Sequence, residues 1–181
     1  MMINNFLVTG PPGSGKTFVV ERAMSILREH GLRAGGIYCP DIRKDGIRIG
    51  FRIVDVMTGD ERILARVGHT GGPRVGKYQV NIAGLDEISG RAIERAIRKA
   101  DFVVVDEIAP MEIYSIGFRR AVIAALDSRK PTMAVVHQRG KTGFIGDVKK
   151  RNDVKIFEVT RSTREILPYK LAELVLECAK L

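Results

Sequence analysis

The segment Gly10-Pro11-Pro12-Gly13-Ser14-Gly15-Lys16-Thr17 limits the fold of this chain more than any other feature. It follows the short apolar run Phe6-Leu7-Val8-Thr9. Behind it, Val19, Val20, Ala23, Met24 and Leu27 recur at helical spacing, which predicts a helix from about Lys16 to His30 with Gly31 as its left-handed stop. A buried strand, a glycine-rich turn and a helix in that order form the working unit of an open α/β sheet. The glycines let the backbone curl with its N–H groups inward, and the helix adds the positive end of its dipole. Such a loop holds phosphate. Lys16 reaches the β- and γ-phosphates as a point charge, and the Thr17 hydroxyl is suited to ligate Mg²⁺. The segment thus matches a P-loop, or Walker A motif, and residues Gly10 to Thr17 are expected nucleotide contacts.

A second acidic signal supports this reading. Phe102-Val103-Val104-Val105 is a continuous apolar run that ends in Asp106-Glu107. Open α/β sheets bind ligands beyond the carboxyl ends of their strands. In P-loop proteins an aspartate there organises Mg²⁺, so Asp106 reads as a Walker B carboxylate. Glu107 beside it is placed to take a proton from an attacking water, which favours hydrolysis over kinase chemistry. Glu112 follows after Ile108-Ala109-Pro110-Met111; it either positions water or metal, or caps the next helix.

The rest of the chain alternates strands and helices with one antiparallel insertion. Residues 33 to 66 read as a β-meander attached to the side of the main sheet, with turns at Lys44-Asp45-Gly46 and Thr58-Gly59-Asp60. Within it Ile47, Ile49, Phe51 and Ile53 alternate with Arg48, Gly50 and Arg52, a strand with one buried face. Residues 68 to 84 carry five glycines without a period and read as a loop. Helical spacing returns at Ile88 to Ala100 and again from about Ser115 to Ser128. Pro131 to Val136 is an apolar strand ending at His137, residues 143 to 151 suggest a helix, and Val154 to Val159 suggest the last strand. Ser162-Thr163-Arg164-Glu165 fits a capping box, with Pro168 interrupting the first turn and restarting the helix. One α/β domain over residues 1–181 accounts for everything: a three-layer P-loop fold with a mainly parallel sheet and an antiparallel meander extension.

Composition excludes several classes. The 181 residues are 45% hydrophobic and 28% charged, as in ordinary globular proteins. No apolar run reaches the roughly 18 residues that span a bilayer, and Met1 to Asn5 contain no basic n-region or apolar h-region. A cytoplasmic, monomeric protein without a membrane partner is expected. Cys39 and Cys178 are too few for a disulfide framework or a metal cluster. The net charge of +9 would suit nucleic acid, but the basic residues are spread thinly, and a phosphate site also calls for positive charge.

Taken together these segments resemble the THEP-type nucleoside-triphosphatases over nearly the whole chain. The likeness rests on Gly10 to Thr17, on Gly35-Gly36 followed by Arg43 and Gly46, and on Gly50-Phe51-Arg52-Ile53-Val54-Asp55. It continues through Val75-Gly76-Lys77-Tyr78-Gln79-Val80, Asp106-Glu107-Ile108-Ala109-Pro110-Met111-Glu112 and Phe118. The resemblance implies a RecA-like sheet and Mg²⁺-dependent hydrolysis of several nucleoside triphosphates, ATP, GTP, CTP, UTP and TTP, to diphosphate and phosphate. It also implies two nucleotide-contacting segments: the loop 10–17 and the strand end Phe102, Val103, Val104, Val105, Asp106, Glu107, Ile108 and Ala109. Ala109 departs from the family pattern, which has glycine there.

Phosphoryl transfer needs positive charge beyond Lys16 and the metal. Lys77, Arg43 and Arg139 are the candidates, His137 could sense the γ-phosphate, and Arg161 could stack on the base. No Asn-Lys-x-Asp motif reads guanine. Two alternatives stay open. One is a nucleotide or small-molecule kinase using the basic stretch 139 to 151 as a lid. The other is a nucleotide-regulated nucleic-acid module using Arg43, Lys44, Arg48 and Arg52.

Overall fold

The computed structural model of the protein describes residues 3–180; Met1 and Met2, on which part of the leader argument rests, lie outside the described residues. The chain runs β1 (Asn5–Thr9), α1 (Lys16–Glu29), β2 (Ala34–Tyr38), β3 (Asp41–Lys44), β4 (Ile47–Asp55), β5 (Glu61–Arg66), β6 (Arg74–Val75) and β7 (Tyr78–Val80). It continues with α2 (Ile82–Lys99), β8 (Phe102–Ile108), α3 (Ile116–Asp127), β9 (Thr132–Val136), α4 (Gly143–Lys149), β10 (Val154–Glu158) and α5 (Leu167–Ala179).

All ten strands join one sheet in the order β10-β1-β9-β8-β2-β4-β5-β7-β6, with β3 paired to β4. The first five are parallel, and β4 adds to β2 in the antiparallel sense through Ile37 opposite Asp55 and Tyr38 opposite Val54. The parallel strands β1, β9, β8 and β2 are buried on both faces, whereas the edge strand β10 buries only Phe157, and alternate side chains of the inner strands serve two different cores. Leu7, Val103, Val105, Ala134 and Val136 point into the layer of α2, α3 and α4. Phe6, Val8, Phe102, Val104, Met133 and Val135 point into the layer of α1 and α5. Each such side chain, when fully buried, contributes about 1.5–3 kcal/mol.

Two features set how tightly the layers close. Gly36 of β2 has φ 114°, and a Cβ there would run into the Val104 carbonyl of β8. Asp55, 3% exposed at the end of β4, accepts from the Met57 N–H at 2.8 Å and pairs with Arg95, fastening α2 to the sheet.

Several sequence expectations are corrected here. Residues 33 to 38 belong not to the meander but to β2, a parallel strand beside β8. The stretch 68 to 84 is not all loop: it holds the β6–β7 hairpin and the first turn of α2, capped by the Asn81 side chain accepting from the Gly84 N–H. The one-faced alternation of Ile47 to Ile53 fails. Ile47 is 63% exposed and Ile53 is buried, because β4 leaves the helix layer toward its hairpin end. Its register against β3 also slips at Ile49. No capping box opens α5: Arg161 to Ile166 form turns, and the helix starts at Leu167 with Pro168 in its first turn. Among the described residues no helix is long and apolar enough to cross a membrane.

Candidate active site

The P-loop joins β1 to α1 and takes the conformation that its glycines allow. Gly10, Gly13 and Gly15 have φ 155°, 75° and 98°. Inside the loop the Ser14 N–H donates to the Pro11 carbonyl at 3.1 Å, and the Lys16 ammonium donates to the same oxygen at 3.0 Å. No side chain caps α1, whose N-cap is Gly15 itself, so the first-turn N–H groups face the loop without a side-chain acceptor. Ser14 points back at Gly10, and its buried hydroxyl has no partner.

The acidic pair stands at the end of β8. Because β9 lies between β1 and β8, the pair is two strand spacings, about 10 Å, from the strand that feeds the loop. That separation leaves room for phosphate and water over the end of β9. Asp106 is 5% exposed; burial and the neighbouring Glu107 push its pKa up to about 7, against the pull of the Thr17 hydroxyl. Burial also raises Glu107, while Lys16 and His137 oppose the rise. Glu112, 4% exposed, is pushed up to about 8 by burial and then by Glu107, and its Oε2 is buried without a hydrogen-bond partner. Three carboxyl groups thus crowd one apolar end of the sheet. A cation there would relieve them.

A cleft of about 730 Å³ brings the loop and the acidic pair together: Gly10, Pro12, Gly13, Gly15, Lys16, Thr17, Asp106, Glu107, Ala109 and Glu112 all line it. His137 and Arg139 line its floor beyond β9. Phe102, Val103, Val104, Val105 and Ile108 are instead core side chains, at most 1% exposed, so β8 offers side-chain contacts to a ligand only near its acidic end. Glu112 does not cap the following helix, since the Ser115 hydroxyl accepts from the Phe118 N–H at 2.8 Å.

The far wall is the part least visible in the sequence. The meander does not sit off to the side, because Cys39, Asp41, Arg48, Phe51, Val75 and Tyr78 line the same cleft. The Arg48 guanidinium donates to the Tyr78 hydroxyl at 3.3 Å, pairs with Asp41 at 3.5 Å and lies 5.1 Å from the centre of the Phe51 ring. Phe51 and Tyr78 meet edge to face at 5.2 Å. Arg43 and Lys77 do not line the cleft: Arg43 pairs with Asp41 at 2.8 Å, and Lys77 lies 5.4 Å from the centre of the Tyr78 ring. Arg52 is tied to Glu61 at 2.8 Å, so three of the four basic residues of the supposed nucleic-acid surface are held in ion pairs. The stretch 139 to 151 is no free lid either, since α4 buries Ile145 and Val148 in the core.

A family model described as NTPase matches residues 5–172. The chain belongs to that NTPase family. Within it, the nucleoside-triphosphatase THEP1 of Thermofilum pendens is 44% identical over 173 residues, 95% of either chain. That of Methanopyrus kandleri is 45% identical over 177 residues, 97% of either chain. The crystal structure of THEP1 from Aquifex aeolicus superposes with a TM-score of 0.82 at 26% identity, covering 94% of this chain and 98% of its own. The solution structure of a human cancer-related nucleoside triphosphatase superposes with a TM-score of 0.80 at 29% identity, covering 96% and 98%. The NTPase family match spans the P-loop, the acidic strand end and the meander wall alike, so the whole cleft falls within it.

Proposed function

We propose that the protein hydrolyses nucleoside triphosphates, ATP, GTP, CTP, UTP and TTP among them, to diphosphate and phosphate. The observation that carries this reading is the shared cleft, in which a phosphate loop and a carboxylate pair face each other across the end of β9. The backbone amides of Gly13 to Thr17 and the Lys16 ammonium hold the β- and γ-phosphates. Glu107 accepts a proton from the water that attacks the γ-phosphorus; the bond to the β,γ-bridging oxygen breaks, and the nucleoside diphosphate leaves. The raised pKa of Glu107 makes it a stronger base than an exposed glutamate.

Oxygen donors crowded at a buried site suit Mg²⁺. Thr17 and Asp106 are the residues that would hold it. Its chemistry there is to neutralise charge on the β- and γ-oxygens.

Glu107→Gln tests the reading. Binding of a non-hydrolysable ATP analogue should persist while phosphate release falls by about 10²- to 10⁴-fold. Undiminished release would remove Glu107 as the base. Lys16→Ala should abolish both, and a Lys16→Ala protein that still binds nucleotide would remove the loop as the phosphate site.

A further inference from the structure

The order of strands around β1 assigns a direction to a bound nucleotide. The acidic end of β8 lies on one side of β1, beyond β9, and β10 lies on the other. A triphosphate with its γ end toward Asp106 and Glu107 therefore leaves the P-loop with its nucleoside on the β10 side. The segment met there is the turn from Val159 to Ile166 that joins β10 to α5.

This turn is firmly braced for a surface connection. The Thr160 N–H donates to the Thr163 hydroxyl at 2.9 Å, the Thr163 N–H donates to the Thr160 hydroxyl at 3.2 Å, and the Thr163 hydroxyl donates to the Glu158 carbonyl at 3.0 Å. The Arg164 N–H donates to the Thr160 carbonyl at 3.0 Å, and the Val159 N–H donates to the Thr9 carbonyl at 2.8 Å, tying the turn to the strand that carries the P-loop. Arg164 then lies across the loop: a Cβ placed on Gly15 would be 2.7 Å from its Cδ and 3.3 Å from its Cγ. Gly15 is favoured by its φ of 98°, and the arginine stem packs directly above it. The Arg164 Nε donates to Glu165 at 3.1 Å, and the side chain remains 47% exposed.

We propose that Arg164 is a platform for the nucleobase, which it contacts by stacking rather than by a hydrogen-bond pattern. The inference rests on the phosphate site proposed above. A guanidinium plane stacks on any aromatic face, and every base has one, so such a platform accepts purines and pyrimidines alike. It deepens the functional reading by giving a physical cause for breadth: the phosphates supply register, and the base adds affinity without being read. Arg161, the residue that the sequence suggested for this role, does not reach over the loop glycine; Arg164 does.

The experiment is calorimetric binding of four non-hydrolysable analogues, of ATP, GTP, CTP and UTP, beside inorganic tripolyphosphate, which has no base. Arg164→Ala should weaken all four analogues by about two- to thirtyfold, purines most, and leave tripolyphosphate unchanged. Arg164→Met keeps the aliphatic stem over Gly15 and should show the same loss. Equal weakening of tripolyphosphate, an effect of Ala without an effect of Met, or unaltered analogue binding would each overturn the platform. Because the readout is binding, it stands apart from turnover. If the wild-type protein released no phosphate, the hydrolytic reading would fall and this test would still report.

Discussion

Lys149 donates to the His137 carbonyl at 2.6 Å and to that of Gln138 at 2.9 Å, so a side chain of α4 fixes the segment that leaves β9. His137, Gln138 and Arg139 all line the cleft. Burial holds the Lys149 ammonium below its ordinary pKa, with Lys141 adding to the effect, as expected of a cation whose partners are carbonyls rather than carboxylates. Lys149→Met should cost about 2 kcal/mol in thermal unfolding and lower phosphate release with the fold retained. Lys149→Arg should recover part of both. A melt and activity indistinguishable from wild type would show that the segment holds itself.

The acid limit of stability should depend on Asp153. Arg151 donates to Asp153 at 2.6 and 2.9 Å and to Asp127 at 2.7 Å. These bonds hold the Asp153 carboxyl below its ordinary 3.8, the Arg151 hydrogen bond being the main cause. A carboxylate with a depressed folded value stabilises the fold above its unfolded pKa and loses that contribution as pH falls through the folded one. Asp153→Asn should therefore lower stability near neutral pH by about 1–3 kcal/mol. The gap to wild type should close as pH falls below 3.8, read as unfolding midpoints across pH. A gap that stayed constant would remove the ion pair as its source.

Gly36→Ala tests the close approach of β2 to β8. The added methyl meets the Val104 carbonyl in a backbone already at positive φ, so both strain and overpacking apply. A loss of at least about 2 kcal/mol is expected. Gly46→Ala, at the tip of the β3–β4 hairpin with nothing within 4 Å, should cost less because only its φ of 76° is at stake. Equal losses in the two would show that Val104 is not the obstacle.

Arg48 and Lys77 separate the wall of the cleft from its outside. Arg48 is braced by Tyr78, Asp41 and Phe51 and faces the cleft, whereas Lys77 does not line it. Arg48→Ala should lower phosphate release by about 10²-fold if the wall supplies charge to the transferring phosphoryl group. Lys77→Ala should change release by less than about twofold, as for a surface charge. Reversal of that order would return the role to the β6–β7 hairpin.

What the sequence made legible is what one local segment can encode. The loop from Gly10 to Thr17, the run from Phe102 to Glu107 and the helices with clear spacing stand where their residues suggested. The meander wall was not legible, because Arg48, Phe51 and Tyr78 are brought together only when β4 pairs with β5 and β5 with β7. β2 was hidden for a related reason: Gly35 and Gly36 look like turn residues, yet they are the price of bringing α2 and β8 close. Nor does sequence distance from β10 say which arginine folds back over Gly15: the stem that lies there belongs to Arg164.

The wall and the floor of the cleft belong to a single continuous ladder that runs from β10 to β6. Swinging the meander shut like a hinged door would tear the rungs between β2 and β4, where Ile37 stands opposite Asp55 and Tyr38 opposite Val54. This architecture suits an NTPase whose cleft is framed by the sheet itself rather than by a separate lid domain.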